Sequence, residues 1–154
     1  RSEFLTLTSG SGLLYHTFDK YGPIVQGLHT GRRNGALISI GKGKALPYAL
    51  FNLQERGKMI IENGIEVYEG MIVGIHSRNN DLVVNPLKGK QLTNVRASGN
   101  DEAVTLTTPI QVTLEFALEF INDDELVEVT PKSLRIRKKF LKEHERKKAA
   151  RAAS

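Results

Sequence analysis

The sequence predicts a mainly β (α+β) fold, in which short antiparallel strands form a compact, β-barrel-like domain with one packed helix and a basic C-terminal helix. Three observations lead to this prediction. About eight short apolar or alternating stretches are separated by glycine, proline and asparagine, a spacing typical of short strands. One later stretch has apolar residues at helical spacing, and the end of the chain is rich in helix-forming Lys, Arg, Glu and Ala. With 40% hydrophobic residues, a chain of 154 residues can bury a core.

Turn residues bound each predicted strand. The pairs Asn34-Gly35 and Asn63-Gly64 are strong hairpin signals, and Gly41-Lys42-Gly43-Lys44 predicts a tight basic turn. The predicted strands cover residues 13–18, 36–40, 46–53, 58–61, two pieces of 65–76, 103–108, 126–130 and 133–137, and residues 81–84 lead into a long loop.

One helix is predicted to begin after Thr113. A threonine is a good N-cap, and Glu115 in the first turn complements the helix dipole. Residues at i, i+3, i+4 and i+7 share one face of a helix, so the apolar ones should pack on the core. The face predicted in this way consists of Leu114, Ala117, Leu118 and Ile121.

Strict alternation marks the last predicted strand, residues 133–137. Its leucine and isoleucine should face inward, while Arg135 and Arg137 should face outward. Together with the stretch at 126–130 it should form a hairpin. The tail that follows, residues 138–153, should be helical because its composition favours helix.

The net charge of +5 is distributed unevenly. Residues 132–151 hold ten basic and two acidic residues, whereas the rest of the chain holds 12 basic and 15 acidic ones. Residues 101–128 hold eight acids and no base. A neutral-to-acidic body with a strongly basic tail predicts a polyanionic partner that is contacted through the tail. The alternative is a charged helix that only solvates the protein.

A long polar loop is predicted at residues 85–99, NPLKGKQLTNVRASG. No apolar period of 2 or 3.6 runs through it, and a loop of this length inside a domain is usually functional or disordered. Its cations can neutralise phosphates and its amides can bond to sugar and base edges, as in a protrusion that enters an RNA groove. The alternative is a mobile, solvated surface loop. The polar side chains concerned are Asn85, Lys88, Lys90, Gln91, Asn94 and Arg96.

Catalytic and metal-binding patterns are missing from the sequence. Cysteine is absent, which excludes disulfides and thiolate metal sites and fits an intracellular protein. The glycines around Lys42 lack Walker spacing, the four histidines are scattered, and the three consecutive acids at 123–125 cannot all face one ion. No apolar run reaches 18 residues, so no membrane span is predicted. The start without methionine or signal peptide suggests a piece of a longer protein.

Several stretches together resemble the C-terminal domain of the TypA/BipA family of ribosome-associated translational GTPases. The similarity runs in order over roughly residues 31–148 and includes YALFNLQERGKM, EVYEGMIVGIHSRNNDLVVNP, QLTNVRASGNDE and TLEFALEFINDDELVEVTPKSLRIRKKFL. Residues 1–23 resemble the end of the domain V shared with elongation factor G. The expected organisation is therefore a partial domain V at 1–30 and a TypA/BipA-type C-terminal domain at 31–154, with its loop at 85–102 and its basic tail at 132–151.

The resemblance implies a cytoplasmic protein that acts on the ribosome in stress adaptation and large-subunit assembly. It implies large-subunit rRNA and A-site tRNA as partners, no membrane, and no cofactor in this part, because GTP and magnesium would bind a GTPase domain that is missing here. This part should therefore not hydrolyse GTP. The competing hypothesis is a protein-interaction or regulatory domain that binds an acidic partner.

The resemblance also implies which loop residues contact RNA. The family's long loop, which points toward the peptidyl-transferase centre, corresponds to residues 85–102. The tail lysines are added because of the tail's charge and not because of the resemblance. No catalytic residue and no metal ligand is expected. The predicted RNA contacts are Arg78, Lys88, Lys90, Asn94, Arg96, Lys138, Lys139 and Lys142.

Overall fold

The computed structural model describes residues 2–23, 32–89 and 105–153. The chain divides into two units, Arg1–Thr30 and Gly31–Ser154. The first unit begins with helix α1 (Ser2–Leu7), and residues 8–23 follow without regular secondary structure. The strand predicted at 13–18 is therefore wrong. A strand needs a hydrogen-bonded neighbour, and no described residue pairs with this stretch.

The second unit contains three sheets in its described part. Four strands have the order β3-β5-β1-β6, and two further pairs are β2-β4 and β7-β8. The strands are β1 (Ala36–Ser39), β2 (Gly43–Lys44), β3 (Gly57–Met59), β4 (Glu66–Val67), β5 (Ile72–His76), β6 (Leu82–Val84), β7 (Glu125–Val129) and β8 (Leu134–Lys138). The helices are α2 (Pro47–Gln54), α3 (Leu114–Phe120) and α4 (Glu143–Ala153).

The predicted α+β class is confirmed. Strand β1 is buried at every residue because it lies between β5 and β6. It pairs with β5 antiparallel but with β6 parallel, where antiparallel strands were predicted. The core packs on this sheet, and side chains from α2, α3 and β8 complete it. The larger core residues are Leu37, Ile38, Leu50, Leu53, Met59, Met71, Ile72, Val73, Phe120 and Ile136.

The strand predicted at 46–53 is wrong, because these residues form most of helix α2. Pro47 occupies the first turn of the helix, where its missing N–H costs nothing. The buried residues Ala49, Leu50 and Leu53 follow helical spacing. The apolar residues of this stretch therefore belong to a short helix that packs on the sheet.

Helix α3 begins as predicted, and two residues of the predicted face, Ala117 and Ile121, pack on the core, but Phe116 and Phe120 replace the two leucines of that face there. The Thr113 hydroxyl accepts a hydrogen bond from the Phe116 amide at 3.2 Å. Phe116 stacks on Phe120 with ring centroids 5.5 Å apart, and Phe120 is buried. Leu118, which the predicted face included, is 60% exposed. The two large aromatic rings bury more apolar surface than the leucine would, so they set the rotation of the helix.

Only one of the two predicted hairpin signals has described residues on both sides. Asn63-Gly64 forms a turn with Gly64 at φ +76°, but the strands on its two sides, β3 and β4, belong to different sheets, so this turn closes no hairpin. Asn34-Gly35 leads into β1, and the Gly35 amide donates to the Arg78 carbonyl at 2.7 Å. Residues 24–31 before this pair lie outside the described residues, so its hairpin stays a prediction.

The hairpin β7-β8 is confirmed, with cross-strand partners from Glu125↔Lys138 to Val129↔Leu134. The tail helix is also confirmed, although it begins at Glu143 and residue 138 still belongs to β8. Of the strand predicted at 103–108, only residues 105–108 are described, and they are not a strand. In the part of the chain that the structure describes, no helix is long and apolar enough to cross a membrane.

Candidate nucleic-acid interface

The outgoing end of the predicted loop is fixed to the start of α2. The Asn85 side-chain oxygen accepts a hydrogen bond from the Leu87 amide at 3.0 Å, which forms a local turn. Pro86 is buried, and its carbonyl accepts from the Leu46 amide at 2.9 Å. A Cβ atom on Gly43 would lie 3.1 Å from the Leu87 side chain, so the β1–β2 turn packs against this end of the loop.

The returning end of the loop is fixed to the other end of α2. The amide and the hydroxyl of Thr107 both donate to the Gln54 side-chain oxygen, the hydroxyl at 2.7 Å. The Ile110 amide donates to the Met59 carbonyl at 2.9 Å. Helix α2 has eight residues and is therefore about 12 Å long. Residues 90–104 thus connect two fixed points at opposite ends of one helix.

The predicted loop contacts are only partly described. Lys88 is exposed, next to the loop's outgoing end, and Arg78 is exposed in the turn before β6. Neither has an ion-pair partner within the described ranges. Lys90, Asn94 and Arg96 lie outside the described residues, so their RNA contacts stay predictions.

Lys138 does not lie on the surface. Its side chain is 2% exposed, and its ammonium nitrogen lies 2.5 Å from Asp81 Oδ2, 2.8 Å from Asp124 Oδ2 and 2.8 Å from Glu125 Oε1. Because β8 alternates, residue 138 points to the same side as the buried Ile136. This placement overturns the predicted RNA contact at Lys138, since its charge is already neutralised and out of reach.

Arg32 joins the same group of charges. Its guanidinium binds both oxygens of Glu125, at 2.5 and 2.7 Å, and lies 3.3 Å from Asp81. It also stacks over the Phe120 ring at 4.3 Å from the centroid. We call Arg32, Asp81, Asp124, Glu125 and Lys138 the ion cluster. The Glu125 side chain is fully buried, so the two cations that face it are required.

The ion cluster shifts the pKa values of two of its members. Burial alone would raise the pKa of Asp81, but hydrogen bonds from Lys138 and the Ala36 amide outweigh it and leave the pKa below its ordinary value. Burial alone would lower the pKa of Lys138, but hydrogen bonds to Asp124, Asp81 and Glu125 outweigh it and leave the pKa raised. Both groups therefore stay charged at neutral pH.

The rest of the tail offers fewer available cations than its sequence suggests. Arg137 pairs with Glu128 at 2.7 Å, and Lys147 pairs with Glu143 at 2.6 Å. Arg146 donates to the Phe140 carbonyl at 3.1 Å. The exposed tail cations without an ion pair in the described part of the chain are Lys132, Lys139, Lys142, Lys148 and Arg151.

A second group of cations was missed by the sequence reasoning. Lys42, Lys44 and Arg135 line one cavity of about 240 Å³ together with Tyr68 and Glu66. We call Lys42, Lys44, Tyr68 and Arg135 the basic cleft. The sequence predicts only that the lysines belong to a tight turn and that Arg135 faces outward. Only the packing of β2-β4 beside β8 brings them together, and one sequence carries no signal for that packing.

No metal site is apparent among residues 2–23, 32–89 and 105–153, which contain no group of three or more His, Cys, Asp or Glu side chains able to hold an ion.

Known proteins match the whole second unit. The model of the TypA/BipA C-terminal domain matches residues 34–143. A protein of Haemophilus influenzae named "Large ribosomal subunit assembly factor BipA" is 62% identical over 154 residues, which is 100% of this chain and 25% of that protein. The proteins of the same name from Escherichia coli K12 and Buchnera aphidicola are each 63% identical, over 99% and 96% of this chain and 25% and 24% of their own lengths. The chain thus spans about a quarter of the length of these relatives.

Proposed function

Because the chain belongs to the TypA/BipA C-terminal domain family, we propose that it is the ribosome-binding C-terminal part of a large-subunit assembly factor. In this proposal it contacts large-subunit rRNA and A-site tRNA. The longer protein is a cytoplasmic translational GTPase that acts in stress adaptation, and a domain outside this chain holds GTP and magnesium. The support for the ribosomal partner is the name that the relatives carry.

One structural observation carries the proposal: both ends of the loop are fixed by hydrogen bonds at opposite ends of α2. A fully extended chain spans at most about 3.3–3.6 Å per residue, so residues 90–104 can reach out and back by no more than roughly 25 Å. Because both ends of the loop are held in this way, the loop starts and ends at defined places on the domain. A contact that positions the protein on RNA requires such a fixed attachment.

The loop and the tail contribute different contacts in this proposal. Lys88, Lys90 and Arg96 neutralise phosphates, and Asn94 hydrogen-bonds to a base or sugar edge. Lys139 and Lys142 add attraction that does not depend on sequence. Arg78 is the remaining predicted contact, and Lys138 has no part in RNA binding.

The test is chemical footprinting of purified large ribosomal subunits with the chain and with a variant whose residues 88–100 are replaced by a short Gly-Ser linker. We expect the variant to unfold cooperatively, because loop length contributes little to stability, and to lose protection near the peptidyl-transferase centre. The double variant Lys132→Ala/Lys148→Ala is the control, since it removes two exposed cations elsewhere and should keep that protection.

Two outcomes would contradict the proposal. A loop variant that keeps the wild-type footprint would show that the loop does not position the protein. Binding that changes little between low and high salt would argue against phosphate contacts, which give a steep salt dependence, and would favour an acidic protein partner instead.

A further inference from the structure

We propose that the basic cleft is a second phosphate-binding site, which holds the backbone of an RNA strand beside the base of the loop. The inference rests on the proposed function, because the ligand it names is ribosomal RNA. It adds a contact surface that lies outside both the loop and the tail helix.

The charge of the cleft suits a phosphate group. Three cations, Lys42, Lys44 and Arg135, face a cavity of about 240 Å³, and Glu66 is the one carboxylate among its described lining residues. The lining therefore carries a net charge of +2 at neutral pH. Cations that face a shared concave space repel one another, and a phosphate placed between them relieves that repulsion.

Arg135 can bind a phosphate because the carboxylate opposite it, Glu128, is bound to other side chains. Glu128 lies directly across the hairpin from Arg135. One Glu128 oxygen accepts the Tyr68 hydroxyl at 2.5 Å, and the other pairs with Arg137 at 2.7 Å. Burial and the bond to Glu128 raise the pKa of Tyr68, so the tyrosine stays a neutral donor to Glu128. The guanidinium of Arg135 has no ion pair within the described ranges, and such a planar group suits bidentate contacts to phosphate oxygens.

Lys44 also lacks an ion pair among the described residues. It lies opposite Glu66 in the β2-β4 pair, yet these two side chains form no ion pair. Lys42 is exposed in the turn before β2, and the described residues hold no ion-pair partner for it. Two lysines and one arginine thus reach the same cavity with their charges uncompensated.

The position of the cleft favours an RNA backbone over a small phosphate compound. The turn that carries Lys42 packs through Gly43 against Leu87, and Lys88 at the loop base is the next residue. Cations therefore continue from Arg135 through the β1–β2 turn to the loop. A polyanion with repeated phosphates can contact all of them, while the partly exposed Tyr68 adds an aromatic surface among the charges. A single phosphate would use the cleft alone.

The test compares two triple variants of the 154-residue chain in binding to purified large ribosomal subunits at several KCl concentrations. The cleft variant is Lys42→Ala/Lys44→Ala/Arg135→Gln, and the control is Arg56→Gln/Lys58→Ala/Lys132→Ala, which removes the same charge from exposed sites elsewhere. Neutralised phosphates contribute about 0.7–0.9 each to the salt slope, so we expect the cleft variant to lower it by roughly two units and to weaken binding about tenfold. The control should change affinity less than about threefold.

A cleft variant that binds like the control, while the wild-type chain binds large subunits, would overturn the inference and leave the proposed function intact. Failure of the wild-type chain to bind large subunits would contradict both the inference and the proposed function. If Arg135→Gln disturbs folding, as thermal unfolding would reveal, the double variant Lys42→Ala/Lys44→Ala replaces it, with an expected change of about 1.5 slope units.

A second measurement separates RNA from free phosphate as the ligand. The amide signals of Gly41 and Gly43, which flank Lys42, are followed by NMR during titration with a 12-base-pair RNA duplex and, separately, with inorganic phosphate. Shifts caused by the duplex at lower concentration than by inorganic phosphate would support the inference. Shifts caused by inorganic phosphate alone would overturn it.

Discussion

Lys138 and Lys139 are neighbours in the sequence, but they belong to regions with opposite properties. Lys138 lies in the ion cluster, 2% exposed and within 2.8 Å of three carboxylates. Lys139 is exposed at the start of the tail, and its side chain has no ion pair in the described part of the chain. Lys138 is the last residue of β8, on the same side as the buried Ile136, whereas Lys139 is the first residue after the strand. A count of basic residues therefore overstates the charge that a partner can reach.

The comparison is tested most strongly by removing each lysine in turn. Lys138→Met should destabilise the protein by about 3 kcal/mol, because it leaves Glu125 and its carboxylate neighbours with one fewer cation. The lower end of the usual range applies because Asp81 and Asp124 are partly hydrated, with side chains 37% and 62% exposed. Urea unfolding of the two proteins measures the difference.

The matched control is Lys139→Met, which should change the free energy of unfolding by less than about 0.5 kcal/mol. Equal effects of the two substitutions would show that the ion cluster contributes no more to stability than an exposed charge.

The pH dependence of stability gives a second test of the ion cluster, because the pKa values of Asp81 and Lys138 are shifted in the folded protein. The folded-state pKa of Asp81 lies below its ordinary 3.8, so its contribution is present above that pH and is lost as the pH falls further. The folded-state pKa of Lys138 lies above its ordinary 10.5, so its contribution is present below that pH and is lost as the pH rises through the raised value. Urea unfolding across these two ranges should show both losses. Lys138→Met should reduce the alkaline loss, to which the raised pKa of Tyr68 also contributes, and should weaken the acid loss. An unchanged profile would contradict the assigned contacts.

For ribosome binding, substitution of the exposed Lys139 should have a larger effect than substitution of the buried Lys138. Lys139→Ala/Lys142→Ala should weaken association with large ribosomal subunits by about tenfold or less and reduce the salt slope by roughly one to two units. Its unfolding midpoint should not change. The matched control is Lys132→Ala/Lys148→Ala, which removes the same charge from two other exposed tail positions. If the control weakened binding equally, the tail would act only through its total charge.

The smallest effect on stability is expected for an ion pair at the protein surface. The Glu143 carboxylate lies 2.6 Å from Lys147 one helical turn later, and the hydrogen bond from Lys147 lowers the pKa of Glu143. Water and salt screen such a pair. Glu143→Gln should therefore leave the thermal midpoint unchanged within error. A midpoint shift as large as that of Lys138→Met would contradict the distinction between the two regions.

Local patterns predicted part of the fold well. Alternation identified the β7-β8 hairpin, and Thr113 marked the start of α3. Extending the alternation of β8 by one residue would also have placed Lys138 on the inner face. In α2 the signal was present but ambiguous, since Pro47 and the spacing of Ala49, Leu50 and Leu53 favour helix while the aromatic residues favour strand.

Contacts between distant segments could not be predicted in this way. Arg32 and Glu125 are 93 residues apart, and no local pattern pairs them. The same holds for the basic cleft, whose lysines and arginine come from different sheets. The rotation of α3 depended on how well Phe116 and Phe120 fill the space above the sheet, which is a property of the assembled core.

The place of Arg32 determines how the domain can be excised. The family model matches residues 34–143 and so begins just after this arginine. A piece cut to that range would leave the buried Glu125 carboxylate without its bidentate partner and would uncover one face of the Phe120 ring. The smallest piece able to fold autonomously with its full stability therefore begins at or before residue 32, which agrees with a unit that starts at Gly31. For this domain, the boundary set by free energy lies outside the boundary of the family model.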